Sequence, residues 1–177
     1  MLIEDIKNPV KVSMGPRASG VITEEGHLYT FGNGNWGILG HGNEKNVSFK
    51  TPKLVEKFAS RDIKIKDIAF GRYHAAAITS DGSLYTWGYG GKAGYFNYFN
   101  QEIGALGHGK IDAFFTPEKV DFFQQHNLKV EQVACGINHT VALCDNGQVY
   151  TWGQGLYGVL GNGNNSPSLP PLLNEEF

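Results

Sequence analysis

Apolar and charged side chains alternate in the same way at two places along this chain, and a third, earlier stretch is their apolar counterpart. Ile63, Ile65, Ile68 and Phe70 are interleaved with Lys64, Lys66 and Asp67, and Leu128, Val130 and Val133 with Lys129 and Glu131. Ile6 to Met14 is the earliest version, Ile63 to Phe70 the second and Leu128 to Cys135 the third. A period of two predicts strands with one buried face. Each is followed by a pair of apolar runs around a short polar break: His74 to Thr79 meets Ser83 to Trp87 across Asp81-Gly82, and the third version uses Asn146-Gly147. Asp-Gly and Asn-Gly predict hairpins with two-residue turns, in which both central residues take positive φ. On that basis Glu25-Gly26 is the weaker turn of the set. In Leu84 to Trp87, Leu84 and Thr86 point one way and Tyr85 and Trp87 the other. Both faces carry bulk, which predicts a sheet covered on both sides.

The three versions stay in register over long stretches. Gly136, His139, Gly147, Tyr150, Thr151, Trp152 and Gly153 answer to Gly71, His74, Gly82, Tyr85, Thr86, Trp87 and Gly88, 65 residues earlier. A further 56 residues back stand Gly15, Gly26, Tyr29, Thr30, Phe31 and Gly32, with Ala18 in the histidine's place. Each unit then enters a glycine-rich loop ending in Leu-Gly-His-Gly (39 to 42 and 106 to 109) or Leu-Gly-Asn-Gly (160 to 163). Internal periodicity of this length marks a repeat protein, whose fold follows from the unit. We divide the chain into units at 1–70, 71–135 and 136–177, the second carrying an insertion at 93–103.

Composition narrows the class. Twenty-four glycines and 12% aromatic residues beside 18% charged residues suit short strands and tight turns, not helical bundles or disorder. A formal charge of -2 gives no general attraction to nucleic acid or anionic membrane. No segment has the apolar length of a signal peptide core or a membrane span, so the expected setting is intracellular, cytoplasmic or nuclear. Cys135 and Cys144 replace Met14 or Phe70 and Thr23 or Thr79 of the other units, and read as buried unpaired thiols.

Gly-x-x-His, a six-residue strand, Asp/Asn-Gly, Leu/Val-Tyr-Thr-Trp-Gly and Leu-Gly-His/Asn-Gly together resemble the repeat of the regulator of chromosome condensation family. The resemblance covers nearly the whole chain. It implies an all-β fold of β-propeller blades, each a four-stranded antiparallel sheet, usually seven to a ring. Three blades make an incomplete propeller. Leaving on the order of 400 Å² of blade face in water forgoes about 10 kcal/mol of burial. The array is therefore expected to belong to a longer protein or to complete itself with another chain.

Gly32-Asn33-Gly34-Asn35-Trp36-Gly37 and Gly153-Gln154-Gly155-Leu156-Tyr157-Gly158 match a dinucleotide fingerprint, but they recur with the repeat and lead into further turns, so they read as turns. His41 and His108 exchange with Asn162, which reads as a side chain tolerated in a loop. His74 and His139 are expected to hydrogen-bond loop backbone at a blade edge, since no nucleophile or acid recurs beside them. No catalytic residue, metal site or cofactor is expected. The one stretch that breaks the repeat holds four aromatics, Tyr95, Phe96, Tyr98 and Phe99, followed by Gln101 and Glu102. Exposed rings of this kind must cover the propeller rim or meet a partner, and these six residues are the candidate partner site. The expected function is a protein interaction module. The alternative is guanine-nucleotide exchange on a small GTPase: the resemblance includes an exchange factor for Ran whose wedge leaves a blade at a comparable place, after the Trp-Gly.

Overall fold

A computed structural model of the chain describes residues 6–42, 47–91 and 103–175. Three four-stranded antiparallel sheets follow one another. The first is β1 (Pro9–Met14), β2 (Ala18–Thr23), β3 (Leu28–Gly32) and β4 (Phe49–Leu54). The second is β5 (Ile65–Phe70), β6 (His74–Thr79), β7 (Leu84–Gly88) and β8 (Phe114–Lys119), and the third is β9 (Val130–Cys135), β10 (His139–Cys144), β11 (Val149–Gly153) and β12 (Ser168–Asn174). Strands are ordered in space as in sequence, so every blade is a meander. The first strands of neighbouring blades touch, β1 against β5 and β5 against β9, which marks the edge toward which the blades converge. The fold is all-β and forms an open, partial propeller.

The first strand of every blade carries a bulge at the same place: pairing skips Val10, Lys66 and Glu131. One extra residue reverses the alternation. That is why Ile65, Ile68 and Phe70 are all buried although Ile65 and Ile68 are an odd number apart.

The hairpins differ from the two-residue turns expected. In each, two bonds frame three loop residues: Thr79 and Cys144 donate to the carbonyls of Ser83 and Gln148, and Gly82 and Gly147 donate back to Thr79 and Cys144. Thr23, His27 and Gly26 do the same in the first blade. Only the glycine has positive φ, +80 at Gly26, +85 at Gly82 and +83 at Gly147. This is a type I turn closed by a left-handed glycine. The residue before the glycine keeps ordinary φ, so Glu25 serves as well as Asp81 or Asn146.

Two cores lie between the blades. Between the first and second, Ile22, Leu28 and Ile38 meet Ile68, Ala75, Ala77 and Trp87; between the second and third, Ala76, Ile78 and Leu84 meet Ala142, Tyr150 and Trp152. Alternate residues of β6 thus serve opposite cores, as the two bulky faces of the middle sheet require. Each core is plugged at one end by a short helix that the sequence pattern does not announce, α1 (Glu56–Ala59) and α2 (Asp121–Gln125). Four or five residues are too few to show a helical period. Phe58 of α1 sits edge-on to Tyr85 at 5.2 Å and Phe123 of α2 to Tyr150 at 5.5 Å.

Candidate interaction surface

The candidate partner site rises from the loop that follows β7. Tyr95, Phe96, Tyr98, Phe99, Gln101 and Glu102 lie outside the described residues, but the stem that carries them is defined. Ile103 donates to the Gly91 carbonyl at 3.3 Å and Ala105 to the Gly90 carbonyl at 3.2 Å, so the two ends of the insertion are pinched together. Gly91 permits this, because a Cβ there would fall 2.5 Å from the Ile103 Cβ, while Gly90 lets the strand end cross Asp112, whose carbonyl oxygen would lie 2.0 Å from a Cβ there. Gly34 and Gly155, the second glycines of the two fingerprint-like motifs, make the same close approach to Val47 and Ser166. The motifs are turns that let one backbone cross another.

Around the stem, aromatic and cationic side chains gather from two blades. Tyr89, directly after the Trp-Gly of the second blade, has its ring 5.2 Å from Trp36 of the first blade and 6.2 Å from Tyr73. Tyr73 is flanked by the guanidinium groups of Arg17 at 5.1 Å and Arg72 at 5.2 Å. Tyr73 and Tyr89 are buried, Arg17 is half-buried and Arg72 is exposed. Burial and the neighbouring Tyr73 raise the Tyr89 hydroxyl above its usual range, so the cluster is neutral at its centre and positive at its rim. Sequence reasoning missed it. The available signal was Arg17 and Arg72, which fall in the same loop of successive units.

His74, His41 and His108 are structural, though not in the roles expected. His74 reaches Thr140 of the next blade, Nε2 to Oγ1 at 2.9 Å, instead of loop backbone. Thr140 spends its own proton on the Ala105 carbonyl at 3.0 Å, so His74 Nε2 must be the donor. His41 and His108 bond Thr30 and Thr86 at 2.9 and 3.0 Å, while those threonines donate to the Leu39 and Leu106 carbonyls. They are loop locks, not side chains merely tolerated in a turn. Burial, with the nearby His139, lowers His74 to about 4, and burial with Lys53 lowers His41 to about 4. Both cysteines are free. Burial pushes Cys135 up to about 12 and, aided by Asp145, Cys144 up to about 11. Such thiols stay protonated and inert. Among the described residues no group of three or more His, Cys, Asp or Glu could hold a metal ion, and no helix is long and apolar enough to cross a membrane.

The family model for the regulator of chromosome condensation (RCC1) repeat matches residues 25–78, 100–143 and 146–176. The chain belongs to the RCC1-repeat family. The human E3 ubiquitin-protein ligase HERC2 is 39% identical over 156 residues, 87% of this chain and 3% of the ligase. The ultraviolet-B receptor UVR8 of Arabidopsis thaliana is 32% identical over 163 residues, 92% of this chain and 33% of the receptor. The chain therefore spans a third or less of either relative. Among solved structures, Prp20p of Saccharomyces cerevisiae, described together with its binding to Gsp1p and histones, superposes with a TM-score of 0.76 at 22% identity, over 97% of this chain and 39% of Prp20p. RCC1-type propellers are protein-interaction modules, and this chain carries three of their blades.

Proposed function

We propose that the loop face around the 90–103 stem docks a protein partner, with Tyr95, Phe96, Tyr98, Phe99, Gln101 and Glu102 as the contact. The observation that carries this reading is the pinched stem standing on the Trp36–Tyr89–Tyr73 cluster, which gives a ring-rich insertion a rigid base beside two cationic side chains. Aromatic side chains are frequent interface anchors, and a scaffold fixed before binding lowers the entropic cost of docking. Changing Tyr95, Phe96, Tyr98 and Phe99 to Ser abolishes partner capture while the far-ultraviolet spectrum stays unchanged. Capture at wild-type strength removes the site.

The partner class best supported by the comparisons is a small GTPase, and the activity is guanine-nucleotide exchange. The support is the fold shared with Prp20p, itself a Gsp1p-binding protein. The insertion acts there by displacing the nucleotide's phosphate contacts, without covalent chemistry. Release of labelled GDP from a panel of small GTPases tests this in an intracellular setting, cytoplasmic or nuclear. No acceleration for any member leaves docking alone.

A further inference from the structure

A cleft of about 380 Å³ opens at the hairpin end of the second blade, at the opposite end of its strands from the 90–103 stem. One wall is the turn between β6 and β7, and the other is α2 with the residues on either side of it. Small-molecule sites commonly enclose on the order of 300–1,000 Å³. Val120 and Phe123 form buried lining, Lys119 is half-buried, and Gln124, Asn127 and Lys129 are exposed.

Two ammonium groups and one carboxylate line this cleft, and the carboxylate is already satisfied. Asp81 accepts from the Thr79 hydroxyl, from the Ser83 backbone N–H at 3.1 Å and from the Ser83 hydroxyl at 3.3 Å. Among the described residues, neither Lys119 nor Lys129 has a carboxylate oxygen within 4.0 Å of its ammonium group. Asp145 of the third blade bonds the backbone N–H of Lys129 at 3.3 Å, not its amine.

The corresponding place in the first blade neutralises itself. A Cβ on Gly26 would fall 2.8 Å from the Lys64 Cβ, as one on Gly82 would fall 2.7 Å from the Lys129 Cβ, so the two lysines hold the same place. Asp62 answers to Asn127, with the same left-handed backbone, φ +53 against +56. Asp62 pairs with Lys64 at 2.8 Å. Leu54 pairs with Tyr29 across the sheet as Lys119 does with Tyr85. Between the two places an aspartate has become an amide and a leucine a cation, which leaves the second cleft more positive. Like charges lining one cleft repel, and an anion between them removes that cost.

We propose that this cleft binds a small organic phosphomonoester, its phosphate held between Lys119 and Lys129 and its body lying over the apolar lining. A phosphomonoester near pH 7.5 brings close to two negative charges and three acceptor oxygens. Two ammonium groups, with the amide N–H groups of Gln124 and Asn127 beside them, supply matching charge and donors. The space beyond the phosphate takes the body. This site is independent of the partner loop and of the GTPase reading.

The test follows backbone amide signals of the ¹⁵N-labelled chain by NMR during titration with phenyl phosphate, inorganic phosphate or phenol at pH 7.5. Phenyl phosphate should move the signals of Ser83, Gln124, Asn127 and Lys129, with inorganic phosphate and phenol each binding at least roughly tenfold more weakly. Asn127→Asp gives Lys129 the carboxylate that Lys64 already has, and Lys119→Ala removes the other cation; each should weaken phenyl phosphate at least roughly tenfold. The same spectra report whether each variant is folded, and Lys129→Ala replaces either one that is not. Absence of shifts at these four residues overturns the proposal. So does phenol or inorganic phosphate binding as tightly as phenyl phosphate, or an affinity that the folded variants leave unchanged.

Discussion

Acidification should loosen the seam between the second and third blades, and His74 lets the size of the effect be worked out. In the folded chain His74 is buried and neutral, donating to Thr140, with its pKa lowered from 6.5 to about 4 by burial and by His139. Above pH 6.5 both folded and unfolded chains hold it neutral, and its contribution to stability is complete. Between pH 6.5 and about 4 the unfolded chain takes a proton that the folded chain refuses, so stability falls as pH falls. The full difference, 2.5 pH units, is worth about 3 kcal/mol, and about 2 kcal/mol of it is lost between pH 7.5 and 5. The perturbation is His74→Gln, whose amide can donate to Thr140 Oγ1 without titrating. Urea unfolding of both proteins at pH 7.5 and 5 gives the stability lost by each on acidification. The other lowered histidines, His41, His108 and His139, remain in both and cancel. Wild type should lose about 2 kcal/mol more than the variant. If the two lose the same amount, His74 is not a buried neutral donor and the account of the seam fails.

Trp87→Phe keeps a ring in the first core but leaves the Ile38 carbonyl without its donor, and should cost about 1–3 kcal/mol in urea unfolding. Phe58→Ala empties the plug between the first two blades and Phe123→Ala the one between the last two; each should cost about 3–5 kcal/mol, read the same way. Because only the glycine of each hairpin needs positive φ, Glu25→Asn should change stability by less than about 0.5 kcal/mol. Gly26→Ala, which also puts a Cβ 2.8 Å from the Lys64 Cβ, should cost more than about 1 kcal/mol. A large gain from Glu25→Asn would restore the two-residue turn.

Much of a single blade could be read from the chain because its determinants are local. Alternation marked Ile63 to Phe70 as a strand, Gly82 and Gly147 placed the hairpins, and the recurrence of Tyr-Thr-Trp-Gly showed that the units share one fold. The turn type was misjudged because Asp-Gly satisfies two geometries, and the choice lies in backbone bonds that residue types do not encode. The helices α1 and α2 were missed because their anchor is one phenylalanine each, too little for a period.

Sequence by itself determined the strands, the three-fold repetition and the family, since each strand and turn is set by residues a few positions apart and the repetition is the recurrence of those local patterns. Only the tertiary structure decided what Trp87, His74 and Tyr89 are for. Their partners Ile38, Thr140 and Trp36 lie in neighbouring blades, 49, 66 and 53 residues away along the chain. A side chain's spacing records the strand it sits on, but the acceptor or ring it meets across a seam is fixed by how two finished sheets come together.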